Sequence, residues 1–201
     1  MTVRILLASR NAKKLNELRR ILGPTLPDLE VVGLDDVAPY PEVPETGATF
    51  VENALLKARE GFRHTGLPTV ADDSGLTVAA LNGMPGIFSA RWAGRHGDDE
   101  ANLRLVLGQV ADVPDERLGA AFACAVAYVG ADGEIVTEGL MPGRLIREPR
   151  GANGFGYDPI FVPDGHDATS AELDSAAKDA ISHRGQALRA LAEQLAACVA
   201  G

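Results

Sequence analysis

Residues 120–129 read AAFACAVAYV, a run with no charged side chain. A strand with one wet face alternates polar and apolar residues, whereas a strand covered on both faces does not, so this run is compatible with a central place in a sheet. The covering layers are legible too. Leu15, Leu18, Ile21 and Leu22 recur at helical spacing behind a short apolar strand at residues 3–8, and Phe50, Ala54, Leu55, Ala58 and Phe62 repeat the pattern.

The remaining elements follow from punctuation. A second strand at residues 31–34 leads into a loop containing Pro39, Pro41 and Pro44, which regular helix cannot accommodate. The helix from residue 50 is expected to stop at Gly61 and Gly66, and Thr49 with Glu52 forms a capping-box pattern at its start. A short strand at residues 69–71 is expected to end in the polar stretch Asp72, Asp73, Ser74, Gly75. A helix over residues 98–108, a turn at Asp132 and Gly133 ahead of separate strands at 135–138 and 143–147, and a strand at 160–162 come next. Two helices, at residues 171–181 and 185–197, close the chain.

With 201 residues and no repeat, linker or shift of composition, one domain is expected over residues 1–201. The net charge of −9, with no block of lysine or arginine, excludes a protein that lives by contacts to a nucleic acid backbone. Cys124 and Cys198 match no metal or redox spacing and read as buried free thiols. The first apolar stretch is too short for a signal peptide and no run is long enough to span a membrane, so no membrane partner and a cytoplasmic location are expected.

Chemistry concentrates in four places. The polar turn Ser9, Arg10, Asn11, Ala12, Lys13, Lys14 lies between strand and helix, where exposed backbone N–H groups and Lys14 suit a phosphate, although Asn11 also reads simply as a helix cap. It matches neither the phosphate-binding loop of nucleoside triphosphatases nor the dinucleotide-binding fingerprint. Asp72 and Asp73 lie on opposite sides of extended backbone, so one can bind metal or activate water while the other accepts structural hydrogen bonds, and both require something positive nearby. Gly151, Gly154 and Gly156 surround Asn153 and Phe155, and an aromatic beside such glycines suits either a base or a plug under the loop. Ser182, His183 and Arg184 fall between the last two helices and offer a cap, hydrogen bonds and charge.

Five segments in order, SRNAKK at 9–14, ETGATFVENALLKA at 45–58, ADDSGLTVAALNGMPGIFSARWAG at 71–94, GFGYDPIFVP at 154–163 and AISHRGQAL at 180–188, resemble the Ham1-like inosine and xanthosine triphosphate pyrophosphatases over nearly the full length. The resemblance implies an α/β fold, an elongated, mixed and strongly twisted sheet flanked by helices, with two lobes around a central cleft. It implies a cytoplasmic homodimer that uses Mg²⁺ to hydrolyse ITP, dITP and XTP, nonstandard purine nucleoside triphosphates, to the monophosphate and pyrophosphate.

By position, the resemblance makes Asp73 the general base or metal-linked catalytic residue and Glu45 the second metal-side carboxylate. It makes Ser9, Arg10, Asn11, Ala12, Lys13 and Lys14 the phosphate and nucleotide contact, joined by Lys57, Ser74 and Lys178. Phe155, Gly156, Tyr157 and Asp158, with His183 and Arg184, become the wall that recognises the base. Members commonly carry Thr-Gly where this chain has Ser9 and Arg10, so Arg10 brings bulk and charge to the turn. A triphosphate needs carboxylates for its metal and cations for its remaining oxygens, and Lys14, Lys57 and Lys178 are three of only four lysines in the chain. A pyrophosphatase of modified pyrimidines, a Maf-like protein, and an acidic nucleotide-binding module without turnover are the competing readings.

Overall fold

The computed structural model describes residues 3–200, with the side chains of Ser175 and residues 198–200 outside that description; the expectation for the Cys198 thiol therefore lies outside the described residues. Six strands, β1 (Val3–Leu7), β2 (Leu29–Val32), β3 (Thr69–Val78), β4 (Gly119–Gly130), β5 (Gly133–Leu145) and β6 (Phe161–Pro163), form one sheet in the order β2-β1-β3-β4-β5-β6. β1 runs parallel to β2 and β3, and β5 runs antiparallel to β6, so the twisted sheet is mixed. The helices are α1 (Ala12–Leu22), α2 (Phe50–Thr65), α3 (Asp99–Gln109), α4 (Ser175–Ile181) and α5 (His183–Ala200). The fold class is α/β.

The chain forms two compact units. The first holds residues 1–73, 124–138 and 184–201, the second residues 74–123 and 139–183, so β3, β4 and β5 each pass from one into the other. In the first unit the period-two alternation of β3 and β4 sorts two cores. Val70, Cys124 and Val126 pack with Leu18 and Leu22 of α1 and with Leu188 and Leu191 of α5. Ala71, Ala125, Ala127 and Val129 instead meet Ala54 and Ala58 of α2. Small residues on both partners let α2 lie close to the strands, and β4 is covered on both faces as its composition requires. The second unit has its own core, in which Leu76 and Val78 of β3, Leu103 and Val106 of α3, and Phe122, Met141 and Phe161 come together.

Several boundaries differ from the sequence reading. β3 does not end at Ala71 but continues through Asp72, Asp73, Ser74 and Gly75, because both carboxylates find cations on neighbouring helices. α2 passes through Gly61, whose missing Cβ would sit 2.6 Å from Thr69 Cγ2, and ends only at Gly66 in the left-handed region at φ 68°. The segments expected as two strands around residues 135 and 145 are one, β5. Gly143 belongs inside it because Phe161 of β6 crosses there, 2.7 Å from where a Cβ would stand. α4 begins at Ser175 rather than 171, since the carbonyls of Ala171 and Leu173 accept hydrogen bonds from Asn153 of the glycine loop instead of entering a helix.

Candidate functional site

In the first unit, alternation along β3 points two adjacent carboxylates at different helices. Asp72 follows Val70 to the α1 and α5 face, where Lys14 Nζ reaches its two oxygens at 3.0 and 2.9 Å and Arg184 Nε donates to Oδ2 at 3.0 Å. Glu17 of α1 lies 3.7 Å from the same guanidinium. Burial by itself pushes the Asp72 carboxyl up, but Lys14, Arg184 and Lys57 together hold it far below the usual carboxylate range. The same cluster raises Arg184 above its ordinary value against the effect of its own burial. Asp72 is thus an ionised anchor for Lys14 and Arg184.

Asp73 follows Ala71 to the α2 face. Asn53 Nδ2 donates to its Oδ2 at 3.0 Å, and Lys57 Nζ lies 3.8 Å from its Oδ1. Asn53 and Lys57 are one helical turn apart, which brings both over the same strand position. Lys57 also donates to Glu45 Oε1 at 2.6 Å, so the proline-containing loop delivers Glu45 to the same ammonium. Here burial wins: the Asp73 pKa is raised, with Glu45 and Asp72 adding to the rise and Lys57 and Asn53 opposing it. Lys57, despite the opposing effect of burial, is raised by Asp73, Asp72 and Glu45 and stays a cation. Two neighbouring acids therefore carry opposite shifts, the arrangement that separates a structural anion from a proton acceptor.

The turn at residues 9–14 caps α1. Asn11 Oδ1 accepts from the N–H groups of Lys13 at 2.9 Å and Lys14 at 3.4 Å, and Ser9 Oγ accepts from Asn11 N at 3.2 Å. Arg10, Ala12 and Lys13 are exposed. The capping reading of Asn11 is the one the geometry displays.

In the second unit, residues 151–156 form a loop in which Gly151, Gly154 and Gly156 all have positive φ. Asp158 closes it, accepting from Phe155 N at 2.9 Å and from Lys178 Nζ at 2.5 Å, while Gly156 N donates to Asp99 Oδ2 at 2.8 Å. Phe155 is 50% exposed with the Lys178 ammonium 5.6 Å from its ring centre. Tyr157 is buried and donates its hydroxyl to Ser89 O at 2.8 Å. His183 is buried with its ring stacked on Phe122, centres 5.1 Å apart. Ser74 follows Asp73 along β3 in this unit.

The expected base-recognition group therefore divides. Phe155, Gly156, Tyr157, Asp158 and His183 lie in the second unit, and Arg184 joins Asp72 and Lys14 in the first. Of the carboxylate and lysine groups expected to serve a triphosphate, Lys14, Glu45, Lys57 and Asp73 lie in the first unit and Lys178 lies in the second. Sequence reasoning missed Asn53 and Asp99. The signal for Asn53 was its position four residues before Lys57 on an otherwise apolar helix face; nothing in the spacing of Asp99 pointed to Gly156. Among the described residues no group of three or more His, Cys, Asp or Glu side chains is arranged to hold a metal ion.

A model of the Ham1 family matches residues 5–194. The chain is 64% identical over 196 residues to a dITP/XTP pyrophosphatase of Nocardia farcinica, an alignment covering 96% of this chain and 95% of the relative. It is 58% identical over 202 residues to a dITP/XTP pyrophosphatase of Mycobacterium tuberculosis, covering 100% and 99%. Among solved structures, a nucleoside-triphosphatase / dITP/XTP pyrophosphatase from Mycobacterium abscessus superposes with a TM-score of 0.80 at 61% identity, over 94% of this chain and 98% of the other. The Ham1 protein of Staphylococcus aureus superposes with a TM-score of 0.87 at 39% identity, over 96% and 97%.

Proposed function

This chain belongs to the Ham1 family, and on that footing we propose that it hydrolyses nonstandard purine nucleoside triphosphates, ITP, dITP and XTP, to the monophosphate and pyrophosphate, clearing them from the nucleotide pool. The observation that carries the assignment of roles is Asp73, a buried carboxylate with a raised pKa, 3.8 Å from the Lys57 ammonium that also holds Glu45.

Asp73 takes a proton from the attacking water. The water oxygen bonds to the α-phosphorus, the bond from that phosphorus to the α,β-bridging oxygen breaks, and pyrophosphate leaves with the electron pair. Lys14 and Lys57 meet phosphate oxygens, exchanging part of their present pairing with Asp72 and Glu45 for charge-assisted bonds to the substrate. Asp72 keeps Lys14 and Arg184 charged and in place throughout.

Glu45 and Asp73 are the residues that would hold Mg²⁺. The donor set fits: both offer hard oxygens gathered about the one Lys57 ammonium, and Mg²⁺ commonly takes only one or two carboxylates together with substrate phosphates. When bound, the ion supplies neutralisation of the phosphate charge.

Recognition of the base belongs to the glycine-loop residues and His183. Phe155 offers the exposed ring for stacking, Tyr157 and Asp158 fix the loop that presents it, and His183 supplies hydrogen bonding suited to a 6-oxo edge. An exocyclic amine in that place leaves donors unmatched. The protein works as a cytoplasmic homodimer, a state that sedimentation of the purified protein tests. No helix among the described residues is long and apolar enough to cross a membrane.

The experiment is a panel of ITP, dITP, XTP, ATP, GTP and modified pyrimidine triphosphates, each assayed for pyrophosphate across a Mg²⁺ titration. Release from the first three with little from the others supports the reading. Preference for a pyrimidine, or the absence of turnover, defeats it.

A further inference from the structure

Asn53 is the one fully buried polar side chain of α2, with 0% of its surface exposed. Its amide is used at both ends. Oδ1 accepts the N–H of Gly47 at 2.8 Å, and Nδ2 donates to Asp73 Oδ2 at 3.0 Å. The first bond settles the orientation of the second: because the Gly47 N–H can only donate, the oxygen of the amide must face the loop and the NH₂ group must face Asp73.

Gly47 lies two residues beyond Glu45, where there is no room for a side chain. A Cβ at Gly47 would lie 2.6 Å from Glu52 Cβ and 2.8 Å from Asn53 Oδ1. The next N–H, that of Ala48, is taken at 2.6 Å by Glu52 Oε2, while Thr49 Oγ1 accepts from Glu52 N at 3.1 Å. The half of the capping box expected to close on Thr49 closes one residue earlier. Successive side chains of the first turn of α2 thus hold successive backbone N–H groups of the loop, and the farther of the two also holds the carboxylate on β3.

We propose that Asn53 is a positioning residue for the hydrolysis, a single amide that sets the loop bearing Glu45 and the carboxylate of Asp73 in fixed register with each other. It touches neither the water nor the phosphate. It acts by fixing Oδ2 of Asp73, which restricts the rotation of that carboxylate, and by fixing the backbone that delivers Glu45 to Lys57. The inference rests on the roles given above to Asp73 and Glu45.

The test uses the whole chain with Asn53→Leu, which keeps the branched shape and removes both bonds, and Asn53→Ser, which leaves space for water and lowers the risk of misfolding. Folding is read by circular dichroism, and kcat and KM for ITP are referred to folded protein. Hydrogen exchange at the Gly47 amide is followed by NMR in the absence of substrate and metal. A lost alignment of about an ångström is expected to lower kcat by about a hundredfold, with KM changed by less than about threefold. Exchange at Gly47 should rise by at least about tenfold as its acceptor is lost.

A folded variant with kcat within about twofold of wild type, a loss confined to KM, or a Gly47 amide as protected as before overturns the proposal. If neither variant folds, Asn53 is a folding residue and the proposal is likewise overturned. An Asp73→Asn control separates the two levels: retained turnover there defeats the role of Asp73 itself, whereas lost turnover there beside active Asn53 variants defeats only the inference about Asn53.

Discussion

Asp72 and Asp73, adjacent on β3, are held by different helices and shifted in opposite directions: Lys14 and Arg184 depress the first, and burial raises the second beside Asn53 and Lys57. The strand's two-residue period makes this possible, since neighbours in sequence never share a face. One consequence is a division of labour that neither residue's identity reveals.

Asp72→Asn removes the shared partner of two buried cations. Leaving Lys14 and Arg184 uncompensated is expected to cost about 3 kcal/mol, measured by urea unfolding at pH 7. The pH dependence follows from the direction of the shift. A carboxyl depressed in the folded state contributes stability that is present above its unfolded pKa of about 3.9 and lost as pH falls below that toward the folded value. The wild type should therefore lose stability more steeply below about pH 4 than Asp72→Asn does. Parallel acid unfolding curves would show that Asp72 is not the anchor described.

Glu45→Gln keeps the shape of the side chain and removes its charge. Turnover should then need about tenfold more Mg²⁺ for half-maximal rate, and a chelator should abolish it in both proteins. A metal titration unchanged by the substitution removes Glu45 from the donor set.

Phe155→Ala deletes a ring that is half exposed, so stability measured by thermal unfolding should change by no more than about 0.5 kcal/mol. Loss of stacking is expected to raise KM for ITP by at least about tenfold, with a smaller effect on kcat. Unchanged KM would leave the ring as a loop residue only.

Gly47→Ala tests the loop from its other side. The added methyl group meets Glu52 Cβ and Asn53 Oδ1, so the loop must shift and take Glu45 with it. Turnover of ITP should fall by about tenfold or more in a protein whose far-ultraviolet spectrum is unchanged.

Much of this was legible in the chain itself. The unbroken apolar run 120–129 announced the strand buried on both faces, and the spacing of Leu15, Leu18 and Leu22 announced α1. Local signals failed where a partner far away in sequence decided the outcome. Asp72 and Asp73 looked like the end of a strand because their cations, Lys14, Lys57 and Arg184, lie as much as 112 residues away. Gly61 looked like a stop until Thr69 filled the space against it. The bond from Arg184 to Asp72 was hidden because the sequence does not reveal that α5 lies over the Asp72 face of β3. Asn53 was hidden inside a motif whose charged members drew attention first.

The central claim is that Asp73 activates water for attack at the α-phosphorus of a deaminated purine triphosphate. The most direct measurement compares wild type with Asp73→Asn on ITP, identifying products by chromatography and measuring ITP binding separately. The expected result is IMP and pyrophosphate from the wild type, turnover lower by at least about a hundredfold in the variant, and retained binding. IDP and orthophosphate as products, or a variant within about tenfold of wild type, would contradict the account.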